Sequence, residues 1–315
     1  MEQKSNHNIN SIRVLYLLFV VSVLQVRIAY SQQKANFTQY ISNDLVINPA
    51  YAGSEGALSV TFFHRSQWSG IDGAPQTQSL SVHSLFKSNN IGLGLYIIND
   101  KIGIHGILTA QSTYAYRIQL KKETFLSLGL QFGLNQIKSD FNSLTNQIQN
   151  PNDPKISSSN LSEINFEFGS GIYYLSPRLN LGISMPNMLQ EKIQTDSINY
   201  SLPSNNIYFL GRYKIPINSN VTLQPGILVK YLPGLPISYD MSLAAIINKV
   251  LLIGVSYRPS ESGSAIIQAM FTPQFKIGYA YDYPLENAKS IGSNAHEIMI
   301  SYLFSFTNKK ISKPR

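Results

Sequence analysis

The sequence predicts an all-β fold, an antiparallel transmembrane β-barrel of about 14 strands with short periplasmic turns and longer surface loops. Three observations predict it. Charged residues are only 13% of the 315 residues, against roughly 25% in ordinary soluble domains, while Tyr and Phe number 19 and 15. The mean hydropathy is −0.05, yet beyond the N-terminal leader no segment reaches the roughly 20 apolar residues of a spanning helix. Finally, apolar and small polar residues alternate strictly through one segment after another. Few charges, many aromatics and middling hydropathy suit strands whose two faces meet different solvents. The outer face of a soluble β-sandwich normally carries more charge.

The first element is an address. Lys4 and Arg13 give a positive start, Val14 to Val26 an apolar run, and Ala29-Tyr30-Ser31 small residues before a cut ahead of Gln32. The run is short of the roughly 20 residues of a spanning helix. Residues 1–31 are therefore expected to be a signal peptide, 32–55 an N-terminal periplasmic or plug-like segment, 56–306 the barrel and 307–315 a basic C-terminal tail. Phe306 is not the last residue, so that tail is expected to hang in the periplasm.

The alternation is plain in Phe125 to Asn135. Leu126, Leu128, Leu130, Phe132 and Leu134 fall on one strand face, and Ser127, Gly129, Gln131, Gly133 and Asn135 on the other. One face suits lipid and the other a crowded, wet lumen. Read this way, strands are expected at 56–65, 76–86, 91–99, 106–118, 124–136, 163–175, 178–185, 206–214, 221–231, 238–247, 250–258, 264–271, 275–283 and 296–306. Tyr116, Tyr174, Tyr213, Tyr231, Tyr257 and Tyr302 stand near strand ends, where amphipathic rings suit the lipid–water boundary. Met241 to Tyr257 is apolar enough for a helix, but Asn248-Lys249 divides it into strand-length halves, and Asn tolerates the positive φ of a tight hairpin.

Connection lengths give orientation. The links after even strands are tight, as at Ser176-Pro177 and Asn248-Lys249. Those after odd strands are generally longer, notably 137–162 with its Pro151-Asn152-Asp153-Pro154 and 186–205. That parity puts both termini on the short, periplasmic side.

Catalytic chemistry is missing. There is no cysteine, which removes disulfides and thiolate sites. His64, His83, His105 and His296 are scattered, and His296-Glu297 lacks the second His of a zinc-binding helix and reads as a turn-facing polar pair. Gly92-Leu93-Gly94 has no third glycine, so it is not a dinucleotide loop; glycines within strands here relieve crowding on the lumen face. No catalytic, cofactor or metal residue is expected, and the chain is read as no enzyme. The net charge of +8 is dispersed, which argues against nucleic acid and for a mild preference for acidic partners. Glu167 and Asp240, on inward positions, are expected to pair with Arg65 or Arg212, or else to tune a pore.

Around the first two strands the motifs become specific. Gln39-Tyr40, Asn48-Pro49-Ala50-Tyr51-Ala52-Gly53, Arg65-Ser66-Gln67-Trp68-Ser69-Gly70 and Gly73-Ala74-Pro75-Gln76-Thr77 occur in that order. Gly92-Leu93-Gly94 with Asn99-Asp100, Tyr114-Ala115-Tyr116 and Ala295-His296-Glu297-Ile298-Met299 follow. Together they resemble the PorP/SprF family of type IX secretion system membrane proteins, from about Gln39 to Phe306.

The resemblance implies an outer-membrane barrel serving type IX secretion or gliding motility. It would help particular adhesins or other secreted proteins reach or stay on the surface, in the company of periplasmic components and outer-membrane lipid. A diffusion porin or transporter is the alternative. The motif residues Asn48, Pro49, Tyr51, Gly53, Arg65, Gln67, Trp68, Gly73, Pro75, His296 and Glu297 are then either structural or partner-binding. Bounded by turn formers, residues 48–53 read as a compact entry turn, with burial in the barrel mouth or lumen as the second reading. Trp68, the single tryptophan, either anchors a partner or packs under its loop.

Overall fold

The structure, a computed structural model, describes residues 37–68, 70–86, 90–144, 161–189, 191–194, 199–202, 205–259, 261–285 and 294–304. The expected signal peptide, the 151–154 loop and the 307–315 tail lie outside the described residues.

Alternating residues build β1 (Leu58–Gln67), β2 (Gln76–Phe86), β3 (Ile91–Ile102), β4 (His105–Lys121), β5 (Thr124–Ser139), β6 (Leu161–Leu175) and β7 (Leu179–Met185). A separate hairpin of β8 (Glu191–Gln194) and β9 (Asn199–Leu202) follows, then β10 (Ile207–Tyr213) and its short continuation β11 (Ile215–Pro216). The wall is completed by β12 (Val221–Tyr231), β13 (Ser238–Ile247), β14 (Leu251–Arg258), β15 (Ser262–Met270), β16 (Phe275–Pro284) and β17 (Ala295–Phe304). Each wall strand pairs antiparallel with its neighbour, β7 passing to β10 and β10 to β12, while β1 pairs with β17 from Leu58↔Phe304 to Gln67↔Ala295. The result is a closed antiparallel barrel of 14 strands. Closure leaves no ladder edge for lipid to meet unpaired backbone.

Strands β2, β12 and β13 cover the residues that the alternation marks. The largest extensions are in β3, β4 and β5, which run on to Ile102, Lys121 and Ser139. At Asn99, Lys101, Gln136 and Lys138 the outward face turns polar while pairing continues. Hydrophobic alternation thus ends where lipid ends, but hydrogen bonding does not. The apolar stretch at 241–257 is a hairpin: Asn248 and Lys249 hold φ of 51° and 58°, and Val250 N donates to Ile247 O at 3.0 Å. Two connections depart from parity, and one is that after β14, which ends at Arg258 with β15 already beginning at Ser262. The other, after β3, is only Gly103-Ile104, and Gly103 N donates to Gly73 O at 2.8 Å, tying that turn to the β1–β2 loop.

The two faces separate as expected. Leu80, Leu95, Leu130, Ile253, Ile267 and Ile300 are exposed on the outside, as are Tyr116, Tyr213, Tyr231 and Tyr257 near strand ends. Ser79, Ser81, Thr113, Gln131, Glu167 and Glu297 are buried on the inside. Residues 37–57 lie within the ring, because their contacts are with inward side chains of strands on opposite walls.

Candidate functional site

The site is the filled lumen, built from the N-terminal segment and the strand positions that receive it. The segment makes two 3₁₀ turns, Thr38–Ser42 and Pro49–Tyr51. Asn48 starts the second: its side chain accepts from Ala50 N at 2.9 Å, and Pro49 supplies the fixed φ of a first turn. The turn inferred for residues 48–53 therefore forms, but seated inside the ring rather than at a plain entry.

Glycines on the inward face make the seat. A Cβ at Gly129 would lie 2.1 Å from Ala50 N, at Gly92 2.0 Å from Ala52 O, and at Gly171 2.2 Å from Asn48 Oδ1. Only a hydrogen at Gly129 and Gly92 lets the two backbones approach, and only a hydrogen at Gly171 leaves room for the Asn48 amide. Gly53, with φ of 76°, turns the segment back over Gly92, where its N–H donates to His83 Nδ1 at 3.2 Å and its carbonyl accepts from Arg117 at 2.7 Å.

Charges fix the segment. Glu297 accepts the backbone N–H of Thr38 and of Gln39, each at 2.8 Å, so a buried carboxylate caps the first 3₁₀ turn. Arg65 reaches Glu297 at 3.2 Å and Asp282 at 2.5 Å, and Asp282 also accepts the Thr38 hydroxyl at 2.8 Å. Across the lumen Asp44 pairs with Arg212 and accepts the Tyr173 hydroxyl at 2.7 Å, while Arg212 donates to Ile41 O. The expected partners of Glu167 and Asp240 are thereby corrected. Asp240 pairs with Arg258 at 2.8 Å, and Glu167 accepts amide donors, with Gln111 at 2.7 Å. Arg65 and Arg212 are taken by acids that sequence order places far away, one of them on the plug itself.

The motif residues fall into three places. Asn48, Pro49, Tyr51 and Gly53 are in the plug, and Arg65 and Glu297 hold it. Gln67, Trp68, Gly73 and Pro75 frame the β1–β2 loop: Gln67 N donates to Pro75 O at 3.0 Å, and Trp68 and Gly73 take φ of 53° and 74°. His296 faces outward, its Nδ1 2.6 Å from the Tyr279 hydroxyl. Strand alternation therefore separates His296 from Glu297, and the polar-pair reading gives way. Asp44, Asp282 and the seat glycines were not singled out as site residues. For the glycines the available signal is their recurrence on inward strand positions, as at Gly92, Gly129 and Gly171; Asp44 and Asp282 carry none, because their partners Arg212 and Arg65 are far away in sequence.

Below the plug, at the end of the short turns, a chamber of about 450 Å³ remains. Arg178, Arg212, Lys214, Lys249 and Lys276 line it, with Glu55 and aliphatic groups such as Leu175, Leu252 and Met270. Tyr51 donates its hydroxyl to Glu55 at 2.7 Å, and burial beside that carboxylate pushes the phenol up. Among the described residues no group of His, Asp and Glu is arranged to hold a metal ion.

A closed ring with a lipid-facing apolar belt and a polar, self-filled interior defines an outer-membrane β-barrel. Two solved barrels are similar in fold. The Ralstonia pickettii toluene transporter TbuX aligns with a TM-score of 0.52 at 10% identity, over 83% of this chain and 93% of that one. The CymD monoaromatic hydrocarbon channel aligns with 0.50 at 12%, over 85% and 93%. No curated protein matches in sequence. The family described as type IX secretion system membrane protein PorP/SprF matches residues 29–302, and the chain belongs to it.

Proposed function

We propose that this barrel is an accessory of type IX secretion that helps particular adhesins or other large secreted proteins reach the surface or stay there. It is delivered by a cleaved signal peptide and works with periplasmic components of the machinery. One observation carries the reading against a diffusion channel: the lumen is occupied by the chain's own residues 37–57, tied to opposite walls through Glu297 and Arg212. A pore for free passage has no use for such a plug. The two similar solved barrels are named for transport of small hydrocarbons, which keeps a transporter as the competing reading.

Deleting the gene tests the proposal. One or a few surface proteins should remain inside the cell while the others are exported. If every surface protein is exported and retained normally, the proposal fails. In planar bilayers the intact barrel should be nearly silent, whereas a transporter-like barrel would pass solute.

A further inference from the structure

The periplasmic chamber has more positive charge than its surroundings answer. Among the described residues Arg178, Lys214, Lys249 and Lys276 form no ion pair, and only Arg212 is matched, by Asp44 of the plug. The one acid in the lining, Glu55, already accepts the Tyr51 hydroxyl. The cations come from separate parts of the ring, Arg178 from the β6–β7 turn, Lys214 from between β10 and its continuation β11, Lys249 from the β13–β14 turn and Lys276 from the start of β16. They converge on a single chamber because all four positions lie at one end of the ring. Like charges so gathered in a low-dielectric mouth attract and concentrate anions.

We propose that this chamber docks an acidic, partly apolar peptide segment of a periplasmic protein. Its volume of about 450 Å³ lies within the roughly 300–1,000 Å³ of pockets that hold compact ligands. Leu175, Ile246, Leu252 and Met270 stand among the cations, so the lining suits a ligand that alternates carboxylates with apolar side chains. A lone inorganic anion would leave those apolar walls unused. A lipid is separated from the chamber by the sheet itself. The chain's own tail does not match either, because Thr307 to Arg315 carries Lys309, Lys310, Lys313 and Arg315 and no acid.

The test uses the full chain in detergent and a short fluorescent peptide of alternating glutamate and leucine, followed by anisotropy. This peptide should bind saturably and weaken as salt rises, while its lysine–leucine counterpart should not bind. The joint substitution Arg178→Glu with Lys249→Glu should weaken binding by about tenfold or more. Lys121→Glu with Lys122→Glu, at the same end but outside the lining, should leave it unchanged. Both pairs lie in or beside exposed turns, and heat-modifiable migration verifies that each variant folds; Lys214→Glu repeats the test from another wall. Equal binding of the two peptides overturns the proposal, as does full affinity in the Arg178/Lys249 variant. Competition by inorganic phosphate as effective as by the peptide would make this a simple anion site and also overturn it. The chamber's failure to bind is distinguishable from failure of the secretion role, since that role is read from export in the deletion strain.

Discussion

Arg65 is a residue at which wall, closure and plug meet. Its guanidinium stands between Asp282 at 2.5 Å and Glu297 at 3.2 Å and donates to the Thr38 hydroxyl at 2.9 Å. Replacing it by methionine keeps much of the volume but leaves two buried carboxylates facing one another. Removing one partner of a buried ion pair costs about 3–5 kcal/mol. Arg65→Met should therefore lower the stability of the folded barrel by that order. Arg65→Lys should fall between, because an ammonium cannot fork to both acids. Urea unfolding in lipid, followed through the fluorescence of the single Trp68, measures both. An unchanged midpoint in Arg65→Met would falsify this account of the anchor. The sequence names Arg65 and Glu297 through their motifs, yet the two are 232 positions apart. Neither periodicity nor spacing joins them, since ring closure alone makes the first and last strands neighbours.

Strands and plug were unequally legible as elements. Period-2 alternation locates the strands because each residue must choose between lipid and lumen, and Asn248-Lys249 marks a hairpin because its φ values are ones Asn tolerates. The plug obeys no period. Residues 37–57 owe their place to the glycines that receive them, and a glycine in a strand does not announce what lies against it. Its seat is nevertheless open to test. Valine at position 129 would put Cβ 2.1 Å from Ala50 N, while its β-branched side chain favours the strand itself. Gly129→Val should thus leave the wall intact and expel the middle of the plug. Planar-bilayer recordings should change from near silence to discrete openings, with heat-modifiable migration preserved. A variant as silent as the parent would show that the plug repacks around the valine.

For the whole molecule, the direction in which the barrel stands decides what each feature can meet. The turns at 122–123, 176–178 and 248–250 lie at one end with the entry to β1 and the exit of β17. The β1–β2 loop with Trp68 and Pro75, the end of β5 with Asp140 to Leu144, and the start of β17 at Ala295 lie at the other. Bacterial barrels keep short turns in the periplasm, so the basic chamber opens towards the periplasm and the β1–β2 loop with Trp68 towards the exterior. The Arg65 anchor then sits in the outer half of the lumen, and the plug descends from there to Glu55 at the periplasmic mouth. Epitopes inserted one at a time would report this arrangement. An epitope after Ser143, an exposed position at the long-loop end, should be stained by antibody on intact cells. One after Pro273, in the exposed turn between β15 and β16, should be stained only after the outer membrane is breached. The reverse pattern would place the chamber outside the cell, where periplasmic machinery could not reach it. It would also turn the plug's anchored end towards the periplasm, so two insertions together fix which way the lumen and its chamber face.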